Sequence, residues 1–157
     1  METPDAYAVM KSSIDKYVRD AARDISDEMG LTIPVAEVED VTEAEAVLKD
    51  AKCACIYQLN RFDEAPRAPR YYAIFNVGVK TKQDNGNLIM TKLINALKNQ
   101  FKVERRLELR DFTGAVASDR QGALLISSST THAQAFDKQQ GIRMITCSGS
   151  VVIIHGR

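Results

Sequence analysis

The chain has no surplus of charge of either sign: 21 Lys and Arg residues oppose 21 Asp and Glu residues. No overall field steers it toward a polyanion, so specific nucleic-acid binding is not expected. The balance also removes long-range repulsion between copies, which permits self-association without requiring it. Long apolar runs are lacking as well. Ser150-Val-Val-Ile-Ile154 is among the longest, far short of the ~20 residues a membrane span needs. The cysteine count is three, an odd number, and no basic segment followed by an apolar one opens the chain. A secreted disulfide scaffold is therefore not expected, and a cytoplasmic protein is.

Motifs that carry chemistry are absent too. Thr81-Lys82-Gln83-Asp84 superficially resembles the base-reading segment of guanine-nucleotide proteins, but no G-x-x-x-x-G-K-[ST] loop accompanies it to cradle phosphates. The glycine pattern of a dinucleotide site is missing as well. Cys53 and Cys55 would place two thiols on one face of a strand, without the second pair of ligands that a zinc site uses. They read as small buried hydrophobes. Ser127-Ser-Ser-Thr-Thr-His132 sets hydroxyls beside one of two histidines, yet no G-x-S-x-G elbow surrounds any serine. His155 closes the last strand with less support still. No catalytic, cofactor-binding or metal-ligating residue is assigned, and the chain is not expected to be an enzyme.

What is present is pattern. With 157 residues, 45% of them hydrophobic and 27% charged, the chain is expected to form one ordered domain, residues 1–157, with a core of its own. Thr3-Pro4 has the form of a helix cap followed by proline at the first helical position. Tyr7, Met10, Ile14, Tyr17, Val18, Ala21, Ile25 and Met29 then recur at helical spacing, and Gly30 is placed to end that helix. Residues 33–41 read as extended or irregular, and Thr42-Glu-Ala-Glu45 as a capping box for a short helix.

Cys53, Cys55, Tyr57 and Leu59 alternate as a strand does. Arg61 to Pro69, with two prolines and four charges, reads as a loop. Arg70 to Thr81 is a second strand, with Tyr71, Ala73, Phe75, Val77 and Val79 on one face and Tyr72, Ile74 and Asn76 on the other, both faces covered. A turn at Asp84-Asn85-Gly86 leads to an amphipathic helix from Asn87 to Phe101, expected to cross the sheet. Val103 to Arg110 alternates apolar and charged residues as a half-exposed strand. Thr113 to Gln121 reads as a loop. Gly122–Thr131 and Gly141–His155 complete the strands, separated by a polar connection at 133–140, with Gly149 inviting a bulge.

The order α, α, β, β, α, β, β, β, with connections too short for most crossovers, predicts an α+β fold: a single mixed or antiparallel sheet of about five strands flanked by two main helices. Local basic concentrations occur only around the proline loop and on the charged strand, each interleaved with acids. Arginine suits interface ion pairs, and two signs together can fix register. The candidate interface residues are Arg61, Asp63, Arg67 and Arg70; Glu104, Arg106, Glu108 and Arg110; and Asp119 and Arg120 in the loop after them.

In its order of elements over roughly Asp5–Gly30 and Cys53–Ile154, and most closely in Arg70–Thr81 followed by Asn85-Gly86 and the helix to Phe101, the chain resembles the tail terminator proteins of long-tailed bacteriophages and prophages. That resemblance implies a non-enzymatic structural role. Copies would assemble as a ring, a homohexamer, on the last ring of the tail tube protein, stop its growth and present a surface to the head–tail connector. It implies no cofactor and transfers no residue position by position. Two other readings stand beside it: a bacterial or prophage interaction module with another partner, and a small enzyme whose site would bring His132 or His155 to a serine or cysteine.

Overall fold

In a computed structural model, the structure describes residues 5–37, 52–64, 70–82, 88–112, 121–135 and 140–153. The fold is α+β. Among the described residues, two helices, α1 (Ala6–Met29) and α2 (Leu88–Gln100), cover one six-stranded mixed sheet. The strands are β1 (Val35–Glu37), β2 (Cys53–Glu64), β3 (Arg70–Lys82), β4 (Arg106–Leu109), β5 (Gly122–Ala135) and β6 (Gln140–Ile153), in the spatial order β1-β2-β3-β6-β5-β4. Only the β1–β2 pairing is parallel; the other four are antiparallel.

The apolar stripe of α1 accounts for its packing. Val9, Met10, Ile14, Val18, Ala21, Ala22 and Ile25 are buried, all at spacings that keep them on one side. The helix begins at Ala6, later than Thr3-Pro4 suggests, because Asp5 is the cap and its carboxylate accepts from the Tyr7 amide at 3.0 Å. Gly30 ends the helix at φ 66°, where a side chain would be strained. Helix α2 buries Met90, Leu93, Ile94 and Leu97, and Phe101 just beyond it meets Phe75 of β3 edge-on at 5.5 Å.

The helix-facing side of the sheet is built from alternate residues. Cys53, Cys55, Tyr57 and Leu59 of β2, Ala73, Phe75, Val77 and Val79 of β3, and Ile145, Cys147, Val151 and Ile153 of β6 are all buried. Leu124 and Ile126 of β5 and Leu107 and Leu109 of β4 continue the same layer to the far edge.

Two bulges interrupt this alternation at one level of the sheet. The β2–β3 register shifts between Leu59 and Arg61, and the β5–β6 register shifts between Ile126 and Ser128. Both flank the Ile74–Ser148 pair of the two central strands. An extra residue on each side adds twist and turns the lower half of the sheet relative to the upper. The bulge expected at Gly149 on β6 falls instead on β5 opposite it. A Cβ at Gly149 would lie 2.5 Å from the Leu125 carbonyl oxygen, which is why the bulge residue faces a glycine.

Three further expectations are corrected. Arg61 to Glu64 is not loop but the end of β2, paired with Tyr71 to Ile74, so only residues 65–69 remain to connect the strands. The strand expected from Val103 starts at Arg106, since Lys102–Arg105 forms a tight turn: the Arg105 amide donates to the Lys102 carbonyl and Glu104 has φ 71°. Strand β5 runs on to Ala135, into the segment expected to be a polar connection. The Thr42 capping box, the Asp84-Asn85-Gly86 turn and, up to residue 120, the Thr113–Gln121 loop lie outside the described residues. Among the described residues, no helix is long and apolar enough to cross a membrane.

Candidate interaction surface

Because both helices pack on one side, the second face of the sheet has neither helix on it. At the β1–β2 corner that face is buried at Ala36, Ala54 and Ile56. From β3 to β4 it is open, and the ladder registers show which side chains share it. One row across the strands reads Asp63, Tyr72, Ser150, Leu125, Arg106. The next row toward the sheet end reads Arg70, Val152, Ala123, Glu108, and the row on the other side runs Arg61, Ile74, Ser148.

The middle of this patch is apolar and wet. Tyr72 is 43% exposed, Leu125 42% and Val152 37%. Its borders are charged on both flanks: Arg61, Asp63 and Arg70 on the β2–β3 side, Arg106 and Glu108 on the β4 side. An apolar centre inside a polar, mixed-charge rim is the usual anatomy of a protein–protein contact. Neighbouring large apolar side chains left exposed together mark such a site more than scattered ones do.

The sheet explains why these residues meet. Without the bulge in β2, strict alternation from Leu59 would direct Arg61 and Asp63 into the helix-covered core and Phe62 out to solvent. With it, Phe62 turns inward against Tyr71, ring centroids 4.7 Å apart. Arg61 and Asp63 then share the open side, joined to each other by an ion pair. On the opposite flank Arg110 pairs with Glu108 at 3.2 Å. Both pairs are well exposed, so each contributes little to folding.

Of the ten residues singled out in the sequence, the structure thus gathers Arg61, Asp63, Arg70, Arg106 and Glu108 on one face, with Arg110 next to Glu108. Glu104 stands apart on the turn before β4, where its amide donates to the Ile126 carbonyl at 2.8 Å. Arg67, Asp119 and Arg120 lie outside the described residues. Sequence reasoning missed the centre of the patch. Tyr72 was assigned to a covered face, whereas it is open. Leu124-Leu125-Ile126 and Val151-Val152-Ile153 are apolar at successive positions, while the described helices cover only one side of those strands.

Elsewhere, an open cleft of about 500 Å³ lies beside α1, lined among others by Lys11, Asp15, Lys16, Arg19, Tyr57 and Phe112. Its charges are already matched: Arg19 to Asp15 at 2.5 Å, Lys16 to Asp20 at 2.8 Å and Lys11 to Glu37 at 2.7 Å. The Tyr57 hydroxyl donates to Asp15 at 2.7 Å. Burial first, and then the Asp15 hydrogen bond, raise its pKa well above the usual phenol value. The Arg19 guanidinium is held charged, chiefly by its hydrogen bond to Asp15.

The groups weighed for catalysis are dispersed. His132 is exposed and pairs with Met144 in the ladder, while the Ser127 and Ser128 hydroxyls turn to Ser148. His155 lies outside the described residues. Among the described residues, no three His, Cys, Asp or Glu side chains are grouped to hold a metal ion.

No family model matches the chain, and no curated protein matches it. Solved structures do. One aligns over 98% of this chain and 99% of its own with a TM-score of 0.53 and 12% sequence identity. That likeness shows the fold alone.

Proposed function

We propose that this protein is a structural assembly component of a phage or prophage tail. In this reading, copies form a ring, a homohexamer, that ends the tail tube and offers a surface to the head–tail connector. Assembly takes place in the host cytoplasm, and the ring then remains in the virion tail. The observation that carries the reading is the open sheet face: Tyr72, Leu125 and Val152 exposed together inside a rim of Arg61, Asp63, Arg70, Arg106 and Glu108. A sheet whose second face is left free by both described helices has a surface suited to stable contact with a neighbour. The order of elements, which resembles that of tail terminators, supports a neighbour that is another copy and the tube beneath it.

The test is assembly. Purified protein examined by native mass spectrometry across a concentration series should pass from monomer to a closed oligomer, with rings visible by negative-stain imaging. Added to polymerising tail-tube protein, it should shorten the tubes. Protein that stays monomeric at high concentration and leaves tube length unchanged sinks the proposal. Tyr72→Ser with Leu125→Ser should weaken the oligomer about tenfold or more, because large apolar side chains at the centre of an interface carry most of its energy.

A further inference from the structure

Among the unpaired surface charges, Arg70 and Arg106 stand on one side of the molecule and Asp24 and Asp27 on the other. On the open sheet face, Arg61 is held by Asp63 and Arg110 pairs with Glu108. Arg70 and Arg106, both exposed, make no ion pair or side-chain hydrogen bond among the described residues. On the outward side of α1, Asp15 is held by Arg19, Asp20 by Lys16 and Arg23, and Glu28 by Lys92. Asp24 and Asp27, also exposed, have no such partner among the described residues. Helix α1 packs its buried stripe onto the sheet, so its outward side lies across both layers from the open face.

We infer that the open sheet face of one copy seats on the C-terminal half of α1 of a second copy, with Arg70 and Arg106 reaching the partner's Asp24 and Asp27. The apolar patch of Tyr72, Leu125 and Val152 lies between the two arginines and is dehydrated by the contact. Charge decides against the symmetric alternative, in which two open faces meet. Each face carries Arg61, Arg70, Lys80, Lys82, Arg106 and Arg110 against Asp63 and Glu108, so face-on-face pairing sets like charge against like, which is costly when desolvated. A contact between opposite sides of the molecule is head to tail. Such contacts form a ring when the rotation between copies closes.

This deepens the ring reading and rests on it only in requiring that copies associate. The experiment uses two full-length variants, Arg70→Glu with Arg106→Glu, and Asp24→Arg with Asp27→Arg. All four positions are exposed, and circular dichroism and thermal melts confirm that each variant folds. Native mass spectrometry and sedimentation should find each variant alone dissociated, its Kd for self-association raised about a hundredfold, because every contact then opposes like charges. Mixed in equal amounts, the two should regain the oligomer, since each supplies the surface that complements the other, and the restored species should contain both in alternation.

The outcomes separate the readings. An α1 variant that still self-associates alone, with only the sheet-face variant dissociated, overturns the head-to-tail contact in favour of face-on-face pairing. An oligomer that ignores both sets of reversals overturns the contact while leaving the ring itself standing. Wild-type protein that is monomeric at every concentration overturns both. An oligomer that follows the charge swaps but never shortens tail tubes upholds the contact and removes the tail assignment.

Discussion

The backbone of Arg110 and the hydroxyl of Ser13 are joined in both directions. The Arg110 amide donates to Ser13 Oγ at 3.1 Å, and the Ser13 hydroxyl proton is shared between the carbonyls of Arg110 at 3.0 Å and Val9 at 2.7 Å. One residue earlier on α1, Ser12 accepts from the Phe112 amide at 3.1 Å; one turn later, Tyr17 donates to the Glu108 carbonyl at 2.8 Å. The strand β4 is the last in the sheet, and its outward amides and carbonyls would otherwise be a template for another strand. Helix α1 caps that edge with hydroxyls, which steers association away from strand addition at β4 and toward the open face.

Ser13 is fully buried, so removing its hydroxyl takes the Ser13 Oγ acceptor from the Arg110 amide in a dry site, while the Arg110 carbonyl keeps the Ser12 hydroxyl at 3.2 Å. Ser13→Ala should destabilise the protomer by about 1–3 kcal/mol in urea unfolding. Ser12→Ala, at a less buried position that duplicates part of the network, should cost less. Equal and negligible losses for the two would mean that the edge is closed by packing alone.

The bulge in β2 predicts that Asn60 can be removed as well as replaced. Asn60 is exposed and is the residue left out of the β2–β3 register. Asn60→Ala should change stability by no more than about 0.5 kcal/mol, as surface substitutions away from special features do. Deleting Asn60 sets Arg61 directly after Leu59, so plain alternation already places Arg61 and Asp63 on the open side and Phe62 inward against Tyr71. The deletion variant should keep the dispersed amide spectrum of the parent by NMR and lose only the extra twist of the bulge. A deletion variant without that dispersion would show that the fold needs the twist itself.

Gly149 makes a third case. A Cβ there would meet the Leu125 carbonyl oxygen at 2.5 Å and Leu124 Cδ1 at 2.8 Å. The first is backbone and cannot swing aside, so Gly149→Ala should destabilise by about 1–3 kcal/mol, as overpacking does. Thermal melts of this variant beside Ser150→Ala, one residue on at an exposed site, provide the comparison. A melting temperature unchanged by Gly149→Ala would mean that the β5 bulge relaxes freely.

These cases also mark how far the sequence could be read. Helix α1 and the buried layer of β2, β3 and β6 were legible because each follows a single period: Val9 to Ile25 at helical spacing, Cys53 to Leu59 and Ile145 to Ile153 at alternate positions. Strand β1 was read only as extended, since three residues cannot establish a period. The bulges were misplaced or missed because the inserted residues, Asn60 and Ser127, are polar and suit either face. The charged flanks of the candidate surface were found from composition, but their convergence depends on the order β2-β3-β6-β5-β4, which brings Arg106 into the row of Asp63. The apolar centre depends on which side the helices take, a choice that adjacent Leu124 and Leu125 leave undecided.

The buried thiols give a pH dependence whose sign follows from their surroundings. Burial is the first cause that raises both Cys55 and Cys147 from 9.0 to about 12; the charge of Cys53 adds to the effect at Cys55, while a hydrogen bond with Ser129 opposes it at Cys147. The native protein therefore keeps protons that the unfolded chain releases above about pH 9. Their contribution to stability is complete below that pH and is lost as pH rises toward 12, at about 1.4 kcal/mol per pH unit for each group. Tyr57, raised by burial and then by Asp15, extends the decline upward from pH 10. Urea unfolding at pH 8, 9.5 and 10.5 should show stability falling across the series. Cys147→Ala should be less stable at pH 8, because it leaves a small cavity, yet decline less steeply. A decline of the same slope in parent and variant would place the alkaline sensitivity elsewhere. As protonated thiols in a dry core, Cys55 and Cys147 should also resist a disulfide reagent at pH 8 until denaturant opens the sheet.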